Sequence, residues 1–195
     1  MNDSSLQQQG ILKSIYARRS VRDYAPVLID GVILPTLLDA AVHAPTAMHE
    51  EPWAFVIVQD TQLLQRLSDI AKPVFIEEVR RRGTHGNIRS FEHFARADFN
   101  IFHGAGTLII ICAKQQGSFV VADCWLAAEN LMLAADAIGL GSCVIGSAVA
   151  ALNAHKKELG MPDEYSAIAP IVVGVPSGET RPTSRNKPVI LSWKK

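Results

Sequence analysis

The sequence predicts a sandwich of helices around a β-sheet, of the α/β or α+β class. The chain has 195 residues, which suits one domain. Apolar residues make up 48% of the chain, enough for a sizeable core. Short apolar runs alternate with amphipathic segments from end to end, and this alternation is typical of sheets covered by helices.

The charge balance and the cysteines indicate the chain's location and partners. Lysine plus arginine and aspartate plus glutamate each number 19, so nothing favours nucleic acid or an anionic membrane as partner. Residues 1–9 lack the apolar stretch of a signal peptide, and Glu129 and Asp136 interrupt the longest apolar run. The three cysteines have no C-x-x-C spacing, which favours reduced core thiols over a redox role. We therefore expect a cytoplasmic protein.

Apolar spacing predicts the individual elements. Helices are expected over residues 6–17, 31–43, 62–71, 74–82, 91–102, 119–138 and 148–159. Asp30 is the expected N-cap of the second helix, and Pro73 separates the third from the fourth. Strands are expected over residues 54–58, 107–112, 142–145 and 168–175, and the tail at 188–193 has a β-like pattern.

The helix at 119–138 is apolar on almost every side. Such a helix must be covered on most of its faces, and in a chain this small a partner subunit is an economical cover. Gly139 and Gly141 end it, as expected of a C-terminal glycine cap.

A basic run directly follows the first helix. Arg18, Arg19 and Arg22 flank Ser20, and guanidinium groups bind phosphate oxygens in a bidentate manner. The same run also fits a solvated helix end, where the helix dipole favours cations. These residues alone leave the two interpretations open. A second run, at 80–82, is more typical of a solvated face.

Several common catalytic motifs are excluded. The glycines at 139–141 close a helix and precede a strand, whereas a dinucleotide-binding glycine run follows a strand and opens a helix. The sequence has neither a phosphate-binding loop of the P-loop type nor a G-x-S-x-G nucleophile motif. The six histidines show no metal-ligand spacing, and we expect His85 and His93 to have ordinary surface roles.

Five segments in succession resemble the nitroreductase family in order and spacing. They are residues 18–24 (RRSVRDY), 40–46 (AAVHAPT), 51–53 (EPW), 130–143 (NLMLAADAIGLGSC) and 182–185 (PTSR). The resemblance implies one α+β domain over 1–195, with a central mixed sheet flanked by helices. It also implies an intertwined homodimer that exchanges C-terminal strands and holds FMN at the subunit interface.

The resemblance assigns roles around the flavin phosphate to the basic residues. Arg18, Ser20 and Arg185 match phosphate contacts, and Arg19 lies near the phosphate or the ribityl chain. Arg22 matches a cation near the pyrimidine edge of the ring, where positive charge favours the anionic reduced flavin.

Other residues match positions around the flavin ring. Pro45 and Thr46 match a segment that lines the flavin from the other subunit, and Ile145, Gly146 and Ser147 match the loop near the reactive N5. The segment at about 72–103, with Phe75, Phe91 and Phe94, is expected to form a helical cover that sets acceptor choice. Aromatic residues at such spacing are equally consistent with core packing.

Two residues depart from the family pattern. His49 and Glu51 stand where the family has Asn and Gln before Pro-Trp. Amides donate and accept hydrogen bonds, whereas an ionised Glu51 only accepts; His49 is able to donate in compensation.

The resemblance implies a ping-pong reductase that passes hydride from NADH or NADPH through FMN to a nitroaromatic, quinone or similar acceptor. The two departures motivate an alternative, a flavin-binding or flavin-sensing dimer with little turnover.

Overall fold

The computed structural model describes residues 3–81, 93–114, 116–178, 180 and 183–195, with side chains described from Gly10 onward. The helices are α1 (Asp3–Ala17), α2 (Ile33–Val42), α3 (Thr61–Arg81), α4 (Val120–Ala137) and α5 (Val149–Ala154). The strands are β1 (Trp53–Val58), β2 (Thr107–Lys114), β3 (Gly141–Val144) and β4 (Tyr165–Gly174). Short 3-10 turns lie at Ala47–His49 and Gly146–Ala148.

The four strands form one sheet in the order β1-β2-β4-β3. All three strand pairings are antiparallel, and a parallel contribution comes from an isolated bridge between Ser20 and Ser142. Helices and strands are both present and the helices cover the sheet, which confirms the α+β class.

Alternate residues of β2 divide the core in two. Leu108 and Ile110 face the core that contains α3 and α5, whereas Ile109 and Ile111 face the core that contains α2 and α4. All four side chains are fully buried. A strand covered on both faces is a continuous apolar run in sequence, and this run is what predicted β2 correctly.

Five expected elements differ in the structure. α3 runs unbroken through Pro73, so the predicted break is wrong. The face of α3 that carries Leu64, Leu67 and Ala71 is buried against the core, and this packing outweighs the helix-breaking tendency of proline. β1 is only partly buried because it is an edge strand. The helix predicted to reach residue 159 ends at Ala154, and turns follow it.

The predicted helix at 91–102 is also wrong where it is described. Residues 93–95 form one 3-10 turn, and 97–104 contain turns rather than a regular helix. Residues 82–92, which include His85 and Phe91, lie outside the described part. The tail at 188–193 forms no strand, and its Leu191 is 95% exposed, because none of the described strands pairs with it.

Smaller expectations have mixed outcomes. The Asp30 carboxylate accepts a hydrogen bond from Val32 N (3.1 Å), but Val32 takes the N-cap position and the helix begins at Ile33, so the predicted cap is displaced. The three cysteines are free and buried, as predicted. Gly139 adopts a positive φ of 83° directly after α4, as expected of a glycine that ends a helix.

The helix α4 keeps an apolar face that the chain does not cover. Cys124, Ala127 and Leu131 are buried, whereas Trp125 and Leu126 are exposed on its other side. The cover by a partner subunit stays a prediction. In the described part of the chain, the helices are too short or too polar to cross a bilayer.

Candidate functional site

The basic run lies against the edge of β3. Val21 N donates to the Ser142 carbonyl oxygen (3.0 Å), and Ser20 forms a bridge with the same residue. The buried Tyr24 hydroxyl donates back to the Val21 carbonyl oxygen (2.8 Å), which closes a turn. Gly141 makes this approach possible, because a Cβ there would lie 2.7 Å from Val21 Cγ2.

The run and the C-terminal segment enclose a cavity of about 500 Å³, called the anion cavity below. Its lining is Arg19, Ser20, Val21, Arg22, Asp23, Gly178, Thr180, Thr183 and Arg185. The Arg185 guanidinium donates to Thr183 Oγ1 (2.9 Å), so the C-terminal part of the lining is internally connected. Three arginines against one carboxylate, with three hydroxyl groups, suit an anion such as a phosphate group.

The arginines of the run have different surroundings. Arg19 Nη1 donates to the carbonyl oxygens of Tyr16, Ala17 and Arg18 at 2.7–2.9 Å, so this group caps the C-terminal end of α1. Arg18 Nε lies 3.9 Å from the half-exposed Glu129 carboxylate, and Arg18 does not line the anion cavity. Arg19 therefore occupies the helix end while it also lines the anion cavity with Arg22, and the anion-site interpretation stays a prediction.

A second cavity, of about 360 Å³, adjoins the first and is called the ring cavity below. Its lining is Arg22, Phe75, His93, Phe94, Phe99, Ile101, His103, Cys143, Val144, Ile145, Gly146 and Ser147. Arg22 lines both cavities and has no acidic partner within 4.0 Å among the residues described. The arginine run and the 145–147 loop thus line two cavities that have Arg22 in common.

The loop after β3 leaves room for a ligand. Ile145 N donates to the Pro170 carbonyl oxygen (2.9 Å), which fixes the point where the chain leaves the sheet. A Cβ added to Gly146 would meet nothing within 4 Å, so the main chain of this residue is open to the ring cavity. A flat ring can therefore approach the backbone here.

Five aromatic rings form one wall of the ring cavity. Phe75 and Phe94 have ring centroids 4.7 Å apart, and His93 lies 4.7 Å from both Phe94 and Phe99. Phe99 in turn meets His103 edge to face at 5.9 Å. These distances are those of favourable aromatic pairs.

His103 is the polar end of this wall. Burial lowers the pKa of His103 to about 4, and the positive charges of Arg22 and His93 add to this effect. Its imidazole is therefore neutral at pH 7. Its backbone φ is +56°, a conformation that is uncommon outside glycine.

Cys143 contributes a thiol to the ring cavity. Burial raises the pKa of this thiol, whereas Arg22, Ser20 and Arg18 act in the opposite direction. These opposing effects place Arg18 and Ser20 near the same end of β3 as Arg22.

The sequence analysis missed some of these residues. His93 is on the surface as expected, but it lines the ring cavity instead of having an ordinary surface role. His103 carried no sequence signal of its own, and Thr183 lies in the matching segment 182–185 but was given no role there. Among the residues described, no group of three metal-binding side chains comes together.

The segment expected to reach the other subunit lines neither cavity. This segment contains Pro45 and Thr46. The two departures from the family pattern, His49 and Glu51, follow it on the surface between α2 and β1 and line neither cavity either. The carboxylate oxygens of Asp123, at the start of α4, both lie 3.3 Å from Ala47 N and hold the segment. Met48, His49 and Glu51 all have positive φ angles, between 42° and 57°. Such clustered strain is found at functional sites.

The chain is an α+β protein with two cavities that share Arg22, one rich in arginine and the other lined by aromatic rings. The family model described as the nitroreductase family matches residues 15–175, and the chain belongs to this family.

Individual relatives agree over most of the chain. It is 29% identical over 175 residues to a putative NADH dehydrogenase/NAD(P)H nitroreductase of Archaeoglobus fulgidus, covering 86% of both chains. It is 25% identical over 169 residues to an NADPH-type FMN reductase of Bacillus subtilis, covering 85% of this chain and 66% of that protein. The FMN-bound nitroreductase of Bacteroides fragilis superposes with a TM-score of 0.79 at 25% identity, over 100% of both chains.

Proposed function

We propose that the protein is an FMN-dependent oxidoreductase that takes hydride from NADH or NADPH and passes it to an acceptor in a ping-pong reaction. The observation that carries this proposal is that Arg22 lines both the anion cavity and the ring cavity. One ligand with a phosphate group and a flat ring would occupy both. The FMN-bound solved relative and the reductase relatives support this reading.

The residues present fit the phosphate end of FMN. Ser20, Arg22 and Arg185 surround the anion cavity with hydroxyl and guanidinium donors, and Asp23 is the one carboxylate in the lining. In our proposal Arg185 and Ser20 bind the phosphate directly, and Arg19 contributes through nitrogens other than Nη1. Arg18 joins them, because a 3.9 Å pair with a half-exposed carboxylate is too weak to hold its guanidinium elsewhere.

The residues of the ring cavity fit the ring end. When bound, FMN supplies the redox chemistry that no side chain of the protein provides. Arg22 offers a positive charge to one edge of the ring, which stabilises negative charge there. The main chain of Ile145, Gly146 and Ser147 approaches the ring from the end of β3.

A second copy of the chain completes the site in our proposal. The segment with Pro45 and Thr46 lines neither cavity of its own chain, so it is available to the partner's flavin in a homodimer. His49 and Glu51 then lie at the pyrimidine edge, where His49 donates and Glu51 accepts hydrogen bonds. The exposed apolar face of α4 supports such a dimer.

The acceptor is proposed to be a nitroaromatic, a quinone or a similar flat molecule. Phe75 and Phe94 from the 72–103 cover line the ring cavity, and flat acceptors pack well on aromatic rings. No nucleic acid or membrane is proposed as a partner, and the cytoplasm stays the predicted location.

An anaerobic titration tests the proposal. The protein, loaded with FMN, is titrated with NADH or NADPH while the absorbance near 450 nm is followed, and a quinone is then added. Rapid bleaching and its reversal by the quinone support the oxidoreductase. Stable binding of FMN without bleaching would favour the flavin-binding or flavin-sensing alternative, and failure to bind FMN would contradict both.

A further inference from the structure

The wall of the ring cavity is built on a segment without regular structure. Residues 93–103 carry four of its rings, those of His93, Phe94, Phe99 and His103. The segment's own backbone bonds are isolated turns: Arg96 N to His93 O (3.2 Å), Phe99 N to Arg96 O (3.3 Å) and His103 N to Asn100 O (2.9 Å). Isolated turns hold a chain weakly, so other contacts must fix these rings in place.

The helix α3 supplies those contacts from one polar row. Gln65 Oε1 accepts from Asn100 Nδ2 (2.8 Å), and the buried Ser68 Oγ accepts from Ile101 N (3.0 Å). One helical turn further on, Lys72 Nζ donates to the Phe99 carbonyl oxygen (3.0 Å) and, at a longer 3.4 Å, to that of Arg96. Positions separated by three, four or seven residues share a face of a helix, so the row is continuous.

Lys72 is the strongest member of this row. Its side chain is only 10% exposed, and its ammonium group also pairs with Asp69 Oδ1 at 2.8 Å. The three N–H groups of the ammonium therefore meet three acceptors. The hydrogen bond from Lys72 also lowers the pKa of the Asp69 carboxyl below its usual value. A lysine is rarely buried unless its charge is paired in this way, so the site is arranged around it.

We propose that Lys72 is a positioning residue that fixes the 93–103 wall of the ring cavity and thereby determines how tightly the electron acceptor binds. The inference rests on the proposed function, in which the acceptor binds beside the flavin ring in this cavity. Phe75 belongs to the same helix, one turn after Lys72, and lines the same cavity. The helix α3 thus contributes Phe75 to the aromatic wall and also holds the 93–103 part of that wall in place.

The test compares Lys72→Met with a matched control on the same helix. Methionine keeps the length of the side chain and removes the three donors. Arg66→Met is the control, because Arg66 also lies on α3 but directs its hydrogen bonds to Glu158 (3.0 Å) and not to the 93–103 segment. Lys72→Arg restores a charged donor and should recover part of the effect.

Rapid mixing separates the two halves of the reaction in the FMN-loaded variants. The rate constant for flavin reduction by NADH should stay within about twofold of the parent value in Lys72→Met. The dissociation constant for 1,4-naphthoquinone in the reoxidation step should rise by at least about tenfold, as expected for lost charged hydrogen bonds. Arg66→Met should change neither. An unchanged quinone constant, or an equal loss in both half-reactions, would overturn the proposal.

Hydrogen exchange on the flavin-free chain keeps this test independent of the proposed function. The amides of Phe99, Ile101 and His103 should exchange faster in Lys72→Met than in the parent chain or in Arg66→Met. Faster exchange in a protein that binds no FMN would uphold the positioning role and refute the oxidoreductase. Equal exchange in all three proteins would overturn the positioning role itself. If Lys72→Met does not fold, Ser68→Ala should give the same selective increase in the exchange rates of these amides. Unchanged exchange rates in Ser68→Ala would then overturn the positioning role.

Discussion

Arg22 and Arg185 line the same cavity, although almost the whole chain separates them in sequence. β3 lies between them in the chain order, and the arginine run lies against it through the Val21–Ser142 hydrogen bond. The anion cavity is thus a product of the tertiary fold. Its two ends can be tested separately.

Replacing Arg185 tests the C-terminal side of the anion cavity. Arg185→Ala should weaken FMN binding by about 10-fold to 150-fold, because a hydrogen bond to a charged group contributes roughly 1.5–3 kcal/mol. Arg18→Ala should also weaken it. Fluorescence quenching of FMN measures both, with Arg66→Ala as a control cation outside the cavity. Unchanged affinity in both variants would refute the phosphate assignment.

Replacing Gly141 tests the close approach of the run to β3. Gly141→Ala brings a Cβ to within 2.7 Å of Val21, so the run must move. We expect a loss of about 1–3 kcal/mol in the free energy of unfolding, together with weaker FMN binding. Urea unfolding and FMN titration measure the two effects. Gly31→Ala is the matched control, since a Cβ at Gly31 meets nothing within 4 Å; equal behaviour of the two variants would contradict the packing described.

The buried imidazole of His103 should make stability depend on pH. Its pKa is about 4 in the folded chain against 6.5 ordinarily, so between these values the unfolded chain binds more protons. Stability should therefore be complete above pH 6.5 and fall as the pH drops towards 4, by on the order of 1–2 kcal/mol after solvent screening.

His103→Asn isolates this effect, because asparagine tolerates the positive φ at this position. Urea unfolding at several pH values between 4 and 7 should show a flatter dependence in the variant than in the parent chain. His43→Asn, at an exposed position, should keep the parent's slope. Equal slopes for His103→Asn and the parent would show that His103 does not carry the effect.

A charge on the uncovered face of α4 tests the homodimer. Trp125 is 40% exposed in the single chain, and in the proposed dimer it is covered. Trp125→Glu should shift the protein to monomer, because burying an unpaired carboxylate costs several kcal/mol. Sedimentation velocity measures the change. Val32→Glu, at a strongly exposed apolar residue elsewhere, should leave the assembly as it is; a monomeric parent protein would contradict the dimer outright.

The sequence predicted the elements that depend on local pattern. β2 was found because continuous burial produces a continuous apolar run, and α4 because apolar residues lie on almost every side of it. The unbroken α3 was not predicted, because the helix continues through Pro73 only as a result of tertiary packing. Leu64, Leu67 and Ala71 pack against the core and stabilise it. The tail at 188–193 has a strand-like pattern, but a strand needs a neighbouring strand that this chain alone does not supply.

The site was predictable to a similar extent. The arginine run predicted an anion site, but the local sequence pattern did not show that Arg19 caps α1 or that Arg22 lines both cavities. His93 and His103 were not found as cavity residues, since the turns that bring them together are held by Lys72 and Ser68 from another element. Long-range polar contacts of this kind leave no periodic trace in the sequence.

The central claim is that the anion cavity holds the phosphate group of a flavin whose ring occupies the neighbouring cavity. Titrating the flavin-free protein with FMN and with riboflavin, which lacks the phosphate, tests this claim most directly. FMN should bind at least about 100-fold more tightly, because two or more charged hydrogen bonds are made to the phosphate, and Arg185→Ala should shrink that ratio. Equal affinity for FMN and riboflavin would contradict the claim.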